Sequence, residues 1–169
     1  SWSPDGKQVS FYSNRSGSTE IWTIRPDGSE RRLLTDEDHL YEFPAWSPDG
    51  KYIAWESMER DGYESDQNRL FLMNLENGKI TYATKGFDQN VGGLVWAESS
   101  EAIYFTSDWH GTFQIYRYNL NESTIDKLTE GLHDYKSIAL ASDKIIASRN
   151  SMSMPTELYS VNISDGSAE

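Results

Sequence analysis

The chain has no cysteine among its 169 residues, so it carries neither a disulfide framework nor a thiolate metal site. No apolar run approaches the roughly 18 residues that a membrane-spanning helix needs. Cations are scarce, with 15 Lys and Arg against 27 Asp and Glu, and the net charge is −12. An acidic surface repels phosphate backbones, which argues against nucleic acid as a partner. No window keeps a helical period over three turns. There is no Gly-x-Ser-x-Gly elbow and no glycine-rich phosphate loop, so no catalytic residue and no cofactor are assigned. His39, His110 and His133 stand singly, without the local spacing of metal ligands, so no metal site is assigned. Asp36-Glu37-Asp38-His39 lacks the glycine turn and ligand spacing of a calcium hand and reads as a solvated acidic loop.

Hydrophobic residues make up only 37% of the chain, but aromatics reach 13%, with six Trp and ten Tyr. Few but large apolar side chains suit thin sheets stacked face to face, where each ring buries much area. The dominant pattern is repetition. Ala45-Trp46-Ser47-Pro48-Asp49-Gly50-Lys51-Tyr52-Ile53-Ala54-Trp55 repeats Ser1-Trp2-Ser3-Pro4-Asp5-Gly6-Lys7-Gln8-Val9-Ser10-Phe11. Weaker echoes run from Val95-Trp96-Ala97 to Phe105 and from Ile138 to Ala147. In each strong copy Pro-Asp-Gly makes the turn: Pro presets φ and Gly supplies a positive φ. The alternation after it (Val9, Phe11; Ile53, Trp55) reads as a strand.

A second column recurs as Ile21-Trp22, Leu70-Phe71, Ile115-Tyr116 and Leu158-Tyr159. A third, Leu34-Thr35, Ala83-Thr84 and Leu128-Thr129, closes the first three repeats. Four short strands per repeat of roughly 40 to 50 residues mark a β-propeller blade. The expectation is one all-β domain over 1–169, a β-propeller of about four four-stranded blades. These span approximately 1–35, 44–84, 93–129 and 136–169, and the fourth stops at Asp165-Gly166 before a last strand. A start inside a repeat predicts a segment of a longer protein and a partial ring. Bare blade faces on such a segment predict self-association. The blade tryptophans are expected to be core wedges between sheets.

One blade is irregular. Between its second and third strands lies an insertion, about Glu59 to Asn68, within Ser57-Met58-Glu59-Arg60-Asp61-Gly62-Tyr63-Glu64-Ser65-Asp66-Gln67-Asn68-Arg69. Loops at a blade end are where function concentrates. Carboxylates beside a tyrosine offer charge-assisted hydrogen bonds to a substrate ammonium; a solvated hairpin extension is the structural alternative.

Trp-Ser-Pro-Asp-Gly-Lys followed by an alternating strand resembles the WD-like propeller repeat of TolB and of the prolyl oligopeptidase family of serine peptidases. Ser57 to Asp66 resembles an insert of the dipeptidyl-peptidase V-like branch. Ser151-Met152-Ser153-Met154-Pro155-Thr156-Glu157-Leu158-Tyr159 resembles the last propeller blade before the hydrolase domain. Phe105-Thr106-Ser107-Asp108-Trp109-His110-Gly111 with Gln114-Ile115-Tyr116 is similar to the blade before it. The resemblance implies a non-catalytic propeller portion of an exopeptidase that gates access and helps bind the peptide N-terminus. It implies as partners the remaining blades, a downstream α/β-hydrolase domain and the peptide substrate. By position in the insert, Glu64, Asp66 and Arg60 are the candidates for facing substrate, with Glu59 and Tyr63 behind them. A periplasmic or extracellular location is implied, with a cytoplasmic one open. The alternative is a TolB-like propeller acting as a protein-binding scaffold of the cell envelope; a free-standing sugar- or peptide-binding propeller is a third reading.

Overall fold

The Ser-Pro-Asp-Gly motif builds the same turn twice in the computed structural model, which describes all residues except Ser16, Glu37, Asp38, Asp61, Gly62 and Glu64. Ser3 Oγ donates to Asp5 Oδ1 at 2.8 Å, and that oxygen accepts Lys7 N at 3.1 Å. Gln8 N closes onto Ser3 Oγ at 2.9 Å. Ser47, Asp49, Lys51 and Tyr52 repeat the set at 2.7, 3.1 and 2.9 Å. The serine hydroxyl thus caps the returning strand, and the aspartate holds the serine. Gly6 and Gly50 take φ of 69° and 72°, a region that costs an L side chain. In the third repeat the turn persists although its sequence has decayed: Ser100 takes φ of 62° and its N–H still reaches Ala97 O at 2.9 Å.

The chain divides into two compact units, Ser1–Asp88 and Gln89–Glu169. The first holds two antiparallel up-and-down sheets. One is β1 (Val9–Ser13), β2 (Glu20–Ile24) and β3 (Arg32–Leu33). The other is β4 (Leu40–Trp46), β5 (Tyr52–Met58), β6 (Arg69–Asn74) and β7 (Ile80–Tyr82). The second unit holds β8 (Gly92–Trp96), β9 (Ala102–Trp109), β10 (Thr112–Asn119) and β11 (Thr124–Lys127), then β12 (Asp134–Ala141), β13 (Lys144–Ser151) and β14 (Met154–Asn162). Every neighbour within a sheet is its sequence neighbour, the meander of a propeller blade, and the described residues contain no helix.

Two sheets are complete with four strands and two have three. In the first, the innermost strand is a single bridge, Trp2 to Val9; in the last, the outermost is a single bridge, Val161 to Ala168. Gly166 lets that final segment turn back. Its φ is 73°, and a Cβ there would lie 1.7 Å from the backbone oxygen of Leu128. Gly166→Ala is therefore expected to destabilise the second unit by about 2 kcal/mol, read as a lower urea midpoint; an unchanged midpoint would show that the 165–169 segment shifts freely.

The closing threonines of the repeats are structural. Thr35, Thr84 and Thr129 are buried, and each Oγ accepts a backbone N–H from the neighbouring strand: Ile21 at 3.0 Å, Leu70 at 3.0 Å and Ile115 at 2.9 Å. A buried N–H without such an acceptor is costly, which explains why this column recurs as Thr. The core of the first unit gathers Ile21, Tyr41, Ile53, Trp55 and Met73. That of the second gathers Tyr104, Ile115, Tyr135, Ile145 and Val161. Trp55 and Trp96 are buried wedges, whereas Trp2 and Trp109 are exposed. The repeated aliphatic column diverges as well: Ile21, Leu70 and Ile115 are fully buried, but Leu158 is 76% exposed.

Candidate functional site

Strands β5 and β6 stay in register up to the pair Ser57 and Arg69. Their connection, 59–68, is the insertion. Buried polar side chains anchor its base. Glu56 is buried and its Oε2 accepts Asn68 Nδ2 at 2.6 Å. Gln67 Nε2 donates to Phe87 O at 2.7 Å, which ties the returning arm to the segment after β7. Neither anchor was assigned from the sequence. The available signal was a carboxylate at an inward position of an alternating strand, where an unpaired charge could not stay.

Three of the five candidates meet in this loop. Arg60 holds the Asp66 carboxylate with two donors: Nε to Oδ2 at 2.9 Å and Nη2 to Oδ1. The guanidinium carbon lies 4.0 Å from the centre of the Tyr63 ring, a cation–π contact. Asp66 N donates to Tyr63 O at 2.9 Å and tightens the turn. The Asp66 side chain is only 10% exposed, while that of Arg60 is 56% exposed, so the loop offers solvent the cation and the Tyr63 ring rather than the Asp66 carboxylate. Glu59 lies apart, paired with Arg69 Nη2 at 2.8 Å, and Arg69 stacks over Tyr82 at 5.6 Å. Glu64 lies outside the described residues.

The hydrogen bonds from Arg60 hold the Asp66 carboxyl below its ordinary value of 3.8, and Asp66 in turn raises the Arg60 guanidinium. A carboxyl depressed in the folded state contributes stability above its unfolded value and loses it as pH falls through its folded value. The loop pairing is therefore complete above pH 3.8 and dissolves below it. In a carboxyl-carbon NMR titration Asp66 is expected to titrate below 3.8 and to return toward that value in Arg60→Gln. An unshifted Asp66 in the parent protein would show that the pair does not persist in solution.

Among the described residues no three His, Cys, Asp or Glu side chains converge as a metal centre. The described part of the loop can supply a planar cation and an aromatic face, which are recognition elements.

No protein-family profile matches the chain. It is 36% identical over 178 aligned residues to dipeptidyl-peptidase 5 of Porphyromonas gingivalis, covering 100% of this chain and 26% of that protein. The chain thus spans about a quarter of the length of this relative. The fold matches TolB of Acinetobacter baumannii, with a TM-score of 0.76 and 21% identity, over 99% of this chain and 41% of that one. It also matches the acylaminoacyl peptidase of Pyrococcus horikoshii, with a TM-score of 0.73 and 18% identity, over 100% of this chain and 26% of that one.

Proposed function

The chain carries TolB-type β-propeller repeats homologous from end to end to a quarter of dipeptidyl-peptidase 5, and from this we infer that it serves as the non-catalytic propeller portion of a serine exopeptidase. Its blades, at about 1–35, 44–84, 93–129 and 136–169, cover an α/β-hydrolase domain, restrict entry to short peptides and help hold the peptide N-terminus. The observation that carries this reading is the 36% identity over an alignment that covers the whole chain; the TolB likeness to solved structures supports the fold alone. In this reading the insertion faces substrate through Glu59, Arg60, Tyr63, Glu64 and Asp66. Arg60 and Tyr63 present the exposed surface, Asp66 keeps Arg60 in place, and Glu59 and Glu64 add negative charge for an ammonium group. The remaining blades and the hydrolase domain are its partners, and the location is periplasmic or extracellular.

The test compares the full-length protein with the 169-residue chain. The full-length protein is expected to take a fluorophosphonate label and to release dipeptides from a peptide with a free N-terminus. The isolated chain, which holds no Gly-x-Ser-x-Gly elbow, is expected to do neither. A native protein that takes no label and captures envelope proteins would replace this reading with the TolB-like scaffold.

A further inference from the structure

A strand interior is an unfavourable place for a positive φ, and Phe43 has one, 52°. Pro44 follows it, and the residue before a proline is pushed toward extended backbone. Among the described residues Phe43 is the only non-glycine inside a strand with φ in the left-handed region; Glu30, Ser100, His110, Ser123 and Ser142 lie between strands. The cause is a β-bulge, since the pairing of β4 with β5 shifts between Glu42 and Ala45. The third repeat has the same bulge, shifting between Gly92 and Val95, and the residue at the matching position is Gly93 with φ of 68°. The fold therefore accommodates this bulge with glycine and has no need of a side chain.

The core gains little from the ring. Phe43 is 53% exposed, and it meets Tyr12 of the neighbouring sheet edge-on at 5.6 Å, itself 42% exposed. A bulky side chain that the backbone disfavours and the core leaves uncovered points to a contact outside the fold. Its position narrows that contact. Tyr41 N donates to Thr19 O at 3.3 Å, which ties β4 to the turn just beyond Tyr12. The register pairs Leu40 with Met58, the residue before the insertion. Phe43 thus lies mid-strand, in the bulge opposite Trp55, three residues from the Leu40–Met58 pair that borders the insertion. Half-buried Glu42 precedes Phe43 on the strand, a local negative charge that suits an apolar group on a neutral or cationic ligand.

We propose that Tyr12 and Phe43 form an aromatic ledge that receives an apolar side chain of an extended peptide bearing a free N-terminal ammonium. This rests on the peptidase-propeller reading for the identity of the ligand as a peptide.

The test uses the full-length protein and three versions of it: wild type, Phe43→Gly and Tyr12→Ala. Calorimetric binding is measured for two short free-N-terminal peptides, Leu-Phe-Ala and Ala-Ala-Ala, alongside hydrolysis of both. Phe43→Gly relieves the backbone, so its Tm is expected to be unchanged or higher. Both variants are expected to bind Leu-Phe-Ala about tenfold more weakly, with Ala-Ala-Ala little changed. A lower Tm for Phe43→Gly would make Phe43 a structural residue and overturn the ledge, as would Leu-Phe-Ala affinity unchanged in both variants. If wild type binds Leu-Phe-Ala and the variants lose it, yet no version hydrolyses peptide, the ledge stands and the peptidase reading falls. If hydrolysis is present but Leu-Phe-Ala binding is insensitive to both substitutions, the peptidase reading stands and the ledge falls.

Discussion

Trp55→Ala is expected to cost the first unit about 4 kcal/mol, the largest loss of any single truncation in its core. Trp55 sits mid-strand in β5 with no exposed surface. It stacks on Phe71 at 6.3 Å with the ring planes 9° apart, and Tyr41 meets it edge-on at 6.1 Å. Phe71 in turn stacks on Tyr82 at 4.7 Å. Tyr41 of β4 and Phe71 of β6 thus lean on one indole, and Tyr82 of β7 leans on Phe71. Removing it leaves a cavity that paired backbones cannot collapse into, because the sheet hydrogen bonds fix their spacing. Trp55→Phe keeps a ring in the stack and is expected to lose less than half as much. Urea unfolding of the 169-residue chain, with amide exchange in β5 as the local readout, measures both. A loss below about 1.5 kcal/mol for the alanine variant would show that the neighbouring rings refill the space.

Gln114→Leu is expected to cost the second unit about 3 kcal/mol, although leucine matches the volume and the site is fully buried. Gln114 Nε2 donates to Gly131 O at 3.2 Å and to His133 O at 3.0 Å, which fastens the segment leading into β12. Its Oε1 accepts Thr129 Oγ at 2.9 Å, and Thr129 Oγ accepts Ile115 N at 2.9 Å. Leucine leaves two carbonyls and a hydroxyl proton without their partner inside the protein. Gln114→Glu is expected to be worse than leucine at neutral pH, because a carboxylate would face two carbonyl oxygens. The first blade makes the comparison internal. There Glu20 takes the place of Gln114, and its neighbours are hydroxyl donors, Ser18 at 3.0 Å and Thr35. If Gln114→Glu proved milder than Gln114→Leu, the carbonyl-facing role of the amide would be wrong.

Much of the fold was legible because repetition separates signal from local noise. A lone Pro-Asp-Gly is a turn; the same turn at the same distance before an alternating strand, twice, is a blade. The threonine column showed in the sequence as a recurrence, but its reason, a hydroxyl accepting a strand N–H, required the register. The insertion was visible as an excess of residues between two matched strands. Its internal pairing was not: Asp66 and Arg60 are six residues apart on an irregular loop, where no periodicity predicts which side chains meet. The roles of Glu56 and Glu20 are hidden in the sequence for the opposite reason. Each stands in a well-formed strand, and its burial depends on a partner in a connecting segment: Asn68 for Glu56, Ser18 and Thr35 for Glu20.

The sequence by itself determined the all-β class, the meander and the blade spacing, since these follow from alternation, turn chemistry and repeat length, all of which are local. Only the tertiary structure decided which repeated residues share a fate. Ile115 and Leu158 occupy one column, yet one is fully buried and the other 76% exposed, because burial depends on what lies across the sheet face. Phe43 and Gly93 occupy one bulge, yet one is a strained, exposed ring. The backbone geometry common to the repeats sets the cost of each side chain. What surrounds each blade decides how much packing that side chain gains.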